Sequence, residues 1–300
     1  MYVEHFGLKE FPFSITPDTE FFFSSCGARE ALNTMLVAVK TGEGFVKITG
    51  EVGTGKSMLC RQLISCLSDD FKVAYLPNPF LDPETLFVQI AVEIGAMRDY
   101  EVLSKAQVLI ALNARLLEIN RGQQRVLVCL DEAQAMPIET LEALRLLSNL
   151  ETEKRKLLQV IIFGQPELDD KLNQPSIRQL KQRIVFEYRL APMSSDEVDV
   201  YLRHRLSVAG CSSQVFSSWA VWLLKRCTQR VPRLMNIIAH KSLLSAFGKG
   251  AQKVELLDVL AAVNDTASIK LNPTRVVAWI TGMLMVLGVV LLVVTKDWVR

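Results

Sequence analysis

The sequence predicts an α/β domain on a parallel five-stranded sheet flanked by helices, then a small all-helical unit and a single C-terminal membrane helix. Three observations predict it. Five short apolar runs alternate with helix-length patterns over residues 1–190, the signature of βα repeats. After Pro192 only helical periodicities continue. Residues 276–294 read VVAWITGMLMVLGVVLLVV without one charge.

The strands are expected at 45–49, 71–76, 125–130, 158–163 and 184–188. Each is a short run rich in β-branched or aromatic residues, as in a sheet covered on both faces. Helices are expected between and before them, at 28–39, 57–67, 83–94, 104–120 and 138–150. Pro77, Pro79, Pro83, Pro137, Pro166 and Pro175 punctuate the connections. Ser194 stands three residues before Glu197, a capping box that opens a helix to about residue 209. Further helices are expected at 217–228, 232–247 and 255–264, with Trp219 and Trp222 in their core. Asn272-Pro273 breaks the chain ahead of the apolar run. About 20 apolar residues cross a bilayer core of ~30 Å, and Trp279 and Trp298 are placed to mark its two interfaces. The expected division is an α/β domain at 1–190, a helical lid at 191–268, a linker at 269–275, the membrane helix at 276–294 and a short tail at 295–300.

Composition narrows the classes. Half of the 300 residues are hydrophobic and 22% are charged, which excludes a disordered chain. Lys plus Arg (34) nearly balance Asp plus Glu (32), for a net charge of +2. A chain-wide attraction to nucleic acid is thereby excluded, though a local basic patch is not. Six cysteines contain no C-x-x-C pair and no zinc-like spacing with His5, His204 or His240, so they read as reduced thiols.

The chemistry begins after the first strand. Gly50-Glu51-Val52-Gly53-Thr54-Gly55-Lys56-Ser57 fits G-x-x-x-x-G-K-[ST], the Walker A loop. Its glycines let successive N–H groups face one anion at the start of a helix. Lys56 is expected to reach the β- and γ-phosphates, and the Ser57 hydroxyl to bind Mg²⁺. The run 125–130 ends in Asp131-Glu132, a Walker B pattern. Asp131 is expected to hold Mg²⁺ opposite Ser57, and Glu132 to orient or deprotonate the attacking water.

With these motifs the chain resembles the AAA+ ATPases of the ExeA, or general secretion pathway A, type. It is most similar to those serving biogenesis of the mannose-sensitive haemagglutinin (MSHA) pilus. The opening Phe6-Gly7-Leu8-Lys9-Glu10-Phe11-Pro12-Phe13, then Thr16-Pro17-Asp18 and Arg29-Glu30-Ala31-Leu32, matches that family's N-terminal segment, which the resemblance implies closes over adenine. Phe163-Gly164-Gln165-Pro166-Glu167-Leu168 implies that Gln165 senses the γ-phosphate, and Val231-Pro232-Arg233 that Arg233 reaches the nucleotide from the lid. Arg178 and Arg183 lie where the family carries the arginine that completes a neighbour's site. Arg230 stands where the family commonly has glycine, and Ala28 where it often has histidine.

The resemblance implies a P-loop AAA+ core, ATP and Mg²⁺ as cofactors, and a homo-oligomeric ring or arc. Its partners would be pilus or secretion proteins of the bacterial inner membrane. Lys270 and Arg275 before the apolar run balance Lys296 and Arg300 after it, so charge does not orient the helix. The cytosolic location of ATP does, placing the ATPase domain in the cytoplasm. Two other readings stand beside this one: a DNA-binding regulator of the transposition-targeting kind, disfavoured by the charge balance and the anchor, and a non-hydrolysing nucleotide-gated scaffold.

Overall fold

The computed structural model describes residues 2–77, 80–98, 103–147, 150 and 156–267. Five strands, β1 (Phe45–Gly50), β2 (Phe71–Leu76), β3 (Arg125–Leu130), β4 (Leu158–Gly164) and β5 (Ile184–Leu190), form one sheet in the order β2-β3-β4-β1-β5. Every pairing is parallel. The apolar runs become strands because both faces are covered: every residue of β1 and of β4 is buried.

The helices run in chain order as α1 (Tyr2–His5), α2 (Cys26–Thr41), α3 (Lys56–Cys66), α4 (Pro83–Glu93), α5 (Lys105–Arg121), α6 (Ile138–Leu147), α7 (Glu167–Leu172) and α8 (Arg178–Lys181). After β5 come α9 (Ser195–Val208), α10 (Ser218–Cys227), α11 (Pro232–Gly248) and α12 (Leu256–Asn264). On one face of the sheet α2 and α3 pack on Val46, Ile48, Leu127, Cys129, Ile161 and Phe163. On the other, α4, α5 and α6 pack on Phe45, Val126, Val128, Leu130, Val160 and Ile162. The alternation of these strand residues between two cores is the period-2 rule at work.

A third core joins α9, α10, α11 and α12, and here the packing departs from the expected division. Tyr2, Phe6, Leu8, Phe13 and Phe21 are buried in this helical core, not against the sheet. The Tyr2 hydroxyl meets Nδ1 of His240 at 2.8 Å. A boundary drawn at 1–190 therefore cuts across the fold, because the first aromatic residues find their apolar partners in the C-terminal helices.

Trp219 and Trp222 also differ from expectation. Ala220, Val221, Leu223 and Leu224 take the inner face of α10, leaving Trp219 65% and Trp222 38% exposed. The two rings stack edge to face at 6.2 Å. The expected linker 269–275, membrane helix 276–294 and tail 295–300 lie outside the described residues. Among the described residues no helix is long and apolar enough to cross a membrane.

Candidate functional site

Parallel strands deliver their following loops to one edge of the sheet, and ligands of open α/β sheets bind outside that edge. Here the register brings three loops together. Thr49 of β1 pairs with Gly164 of β4, and Leu130 of β3 pairs with Ile162 of β4. Residues 51–55, Asp131-Glu132 and Gln165 thus leave adjacent strands side by side.

The loop 50–57 wraps as its glycines allow. Gly53 and Gly55 hold φ of +82° and +102°, the left-handed region that suits glycine. A Cβ on Gly50 would lie 2.8 Å from the Leu190 carbonyl oxygen. Thr54 closes the turn by donating its hydroxyl to the Glu51 carbonyl at 2.8 Å. Gly55 opens α3 without a side-chain cap, which leaves the first helical N–H groups, and the positive end of the helix dipole, to an anion.

Lys56 is 5% exposed. Its ammonium donates to the carbonyls of Gly50 (2.7 Å) and Glu51 (3.0 Å). Burial lowers its pKa from the ordinary lysine value, while Glu132 and Asp131 pull the other way. Asp131 is 3% exposed, and burial pushes its carboxyl up against the counter-pull of a hydrogen bond from Ser57. The Asp131 carboxylate also accepts the Glu132 N–H at 2.9 Å. Ser57 and Asp131 therefore meet across the loop. A hydroxyl and a carboxylate, both hard oxygen donors at a phosphate cradle, suit Mg²⁺.

Glu132 takes φ of +54°, unusual for a residue with a side chain. Gln134 Nε2 donates to its Oε2 at 2.5 Å, and Gln165 Nε2 to the same oxygen at 3.0 Å. Gln134 was not singled out by the sequence. Its only signal was an amide two positions past an acidic pair.

A cleft of about 380 Å³ lies between this edge and the helical core, lined by residues 52–58, Glu132, Arg233 and residues 14–17 and 21–23. Arg233 donates its backbone N–H to the Gly53 carbonyl at 3.2 Å, which seats the start of α11 on the loop. The N-terminal wall of the cleft is fixed from α9 and α11. Buried Arg205 donates to the carbonyls of Pro12 (2.5 Å) and Ser14 (3.2 Å) and lies 4.5 Å over the Phe21 ring. Asn236 accepts from Tyr201 at 2.6 Å and donates to the Ser14 carbonyl at 3.3 Å. Sequence reasoning missed this set, although an arginine on the stripe Val198, Tyr201, Leu202, Leu206 was a readable signal.

Arg178 and Arg183 stand outside the cleft. Arg178 is exposed. Arg183 is half-buried and donates to the Arg145 carbonyl at 3.3 Å. Arg230, at the position where glycine is usual, takes φ of +63° beside Gln229 at +50°.

Fold and site together define a P-loop protein of the AAA+ class, and residues 39–172 match the family model of an AAA domain. Within that class the chain is a relative of General secretion pathway protein A. It is 39% identical to that protein of Aeromonas hydrophila over 298 residues, 99% of this chain and 54% of the relative. The chain thus spans about half the length of the curated relative it matches. Its fold is similar to Cdc6p from Pyrobaculum aerophilum, with a TM-score of 0.68 at 20% identity over 85% of this chain and 70% of that one. It is also similar to the ORC2 protein of Aeropyrum pernix, with a TM-score of 0.62 at 18% identity over 86% and 72%.

Proposed function

We propose that this chain is a Mg²⁺-dependent ATPase tethered to the bacterial inner membrane. ATP hydrolysis would drive assembly or remodelling of a type II secretion complex or a type IV pilus of the MSHA kind. The observation that carries the enzyme reading is the meeting of Lys56, Ser57, Asp131 and Glu132 at one end of a cleft whose helix start is uncapped. The secretion context rests on the likeness to General secretion pathway protein A.

Each side chain takes a role from its place. Lys56 leaves the loop carbonyls for the β- and γ-phosphates, whose charge compensates its burial. Ser57 and Asp131 would hold Mg²⁺, which would supply positive charge to offset the phosphates. Glu132 orients the attacking water and accepts its proton. Gln165 reaches the same region from β4. Arg233, exposed beside Gly53, contacts the nucleotide from the helical side, and residues 14–17 with Phe21–Phe23 cover the base. Arg178, exposed and outside its own cleft, supplies the positive charge to a neighbouring subunit in a ring or arc. Arg183, tied to Arg145, is the weaker candidate. The uncharged run 276–294 is the anchor, with the ATPase domain cytoplasmic.

The test is turnover of the full-length chain. Lys56→Ala should lose nucleotide binding or hydrolysis, and Glu132→Gln should bind ATP and accumulate it uncleaved. Full turnover in the first contradicts the loop assignment, and brisk hydrolysis in the second removes Glu132 from the chemistry. Removing residues 276–300 should move the ATPase from the membrane pellet to the supernatant after fractionation. Retention in the pellet opposes the anchor.

A further inference from the structure

Gln134 has no place in the motifs, does not line the cleft, and yet makes a closely fixed set of contacts around Glu132. Its amide nitrogen donates to Glu132 Oε2 at 2.5 Å. Its amide oxygen accepts the backbone N–H of Gln165 at 2.9 Å. The Gln165 side chain then returns to the same Glu132 oxygen at 3.0 Å. A closed loop of three hydrogen bonds therefore joins the end of β3 to the end of β4 through one carboxylate oxygen. A glutamine amide offers a donor and an acceptor on one planar group, at a reach that spans from β3 to β4.

The backbone gives the loop something to hold. Glu132 takes φ of +54° and ψ of +36°, a conformation that disfavours residues bearing a Cβ and persists where surroundings over-determine it. The turn swings the carboxylate to the edge of the cleft it lines. A carboxylate aimed by backbone alone still rotates about its side-chain bonds. Two amide donors on Oε2 remove that freedom and leave Oε1 as the oxygen available to a water.

We propose that Gln134 is a positioning residue for the hydrolytic step: together with Gln165 it fixes the Glu132 carboxylate so that Oε1 meets the attacking water. The inference rests on the ATPase reading and adds to it the residue that aims the base. It also gives Gln165 a duty toward Glu132 as well as toward phosphate. Gln134 acts through Glu132 and touches neither nucleotide nor metal.

The experiment compares the full-length wild type, Gln134→Leu, Glu132→Gln and the double variant, reading single-turnover hydrolysis and affinity for a fluorescent non-hydrolysable ATP analogue. Leucine keeps the bulk and removes both hydrogen-bonding groups. Gln134→Leu should slow hydrolysis at least tenfold while analogue affinity and KM stay within twofold. Added to Glu132→Gln, it should slow the residual rate by less than twofold, because groups that act as a unit are non-additive. Gln134→Glu, close in shape, serves where leucine does not fold, and should slow hydrolysis at least as much by setting two carboxylates together. A Gln134→Leu rate within twofold of wild type overturns the inference. So does a loss that comes with an equal loss of analogue affinity, or one that adds in full to Glu132→Gln. Absence of hydrolysis in the wild type would instead overturn the ATPase reading itself.

Discussion

Gly53 concentrates the constraints on the phosphate cradle in one residue. Its φ of +82° disfavours any side chain, and a Cβ there would lie 2.6 Å from Arg233 Cβ. Gly53→Ala therefore meets backbone strain of about 1–2 kcal/mol and pushes α11 off the loop. The expected outcome is at least a tenfold loss of nucleotide affinity with a lowered melting temperature, read by analogue titration and thermal unfolding. The glycine pattern was fully legible in the sequence, because a loop that curls around phosphate has a fixed spacing. Gln134 was not, because its partners exist only once β3 and β4 lie side by side and Glu132 turns left-handed. Arg230 lies between these cases. The sequence flagged a missing glycine, and φ of +63° supplies the reason that glycine is usual there.

Among the elements, the sheet was the most legible part. The central strands β3 and β4 are buried on both faces and almost wholly apolar, and 71–76 and 125–130 match β2 and β3 end to end. Short α7 and α8, and the burial of Tyr2, Phe6, Leu8, Phe13 and Phe21 in the helical core, were invisible: a four- or six-residue helix has too little periodicity. Trp219 and Trp222 misled because spacing of three suits either face of a helix. The start of α12 offers a titration test. Burial alone would raise the Asp258 carboxyl, but Lys249, the Glu255 N–H and Ser245 outweigh it and hold its pKa below the ordinary value. The group is more easily protonated in the unfolded chain, so its contribution is full above about pH 4 and fades as pH falls through the lower native value. Asp258→Asn should cost about 1 kcal/mol at pH 7, the usual size of a lost helix cap, and less with each step below pH 4. Urea unfolding at a series of pH values checks this.

For the whole molecule, the exposed placement of Arg178 leads to a test between subunits. A variant lacking the arginine and a variant lacking the phosphate lysine would each be inactive alone in the proposed ring. Mixed together, Lys56→Ala subunits still offer Arg178 to a neighbour's intact cleft in Arg178→Ala subunits. Turnover in the mixture should exceed the sum of the separate rates severalfold, as read by phosphate release. A strictly additive mixture would mean that Arg178 does not complete the neighbouring site. Arg183→Ala, by contrast, should act chiefly on stability through its bond to the Arg145 carbonyl.

The meeting of Tyr2 with His240, 238 positions apart, bears on how this chain matures on a ribosome. Tyr2, Phe6 and Phe13 are made long before α9 to α11, the helices that give them apolar shelter. The sheet, whose last strand ends at Leu190, can form before them. Until α9 to α11 follow, these aromatic side chains stay in water on the nascent chain, a natural handle for a holding chaperone.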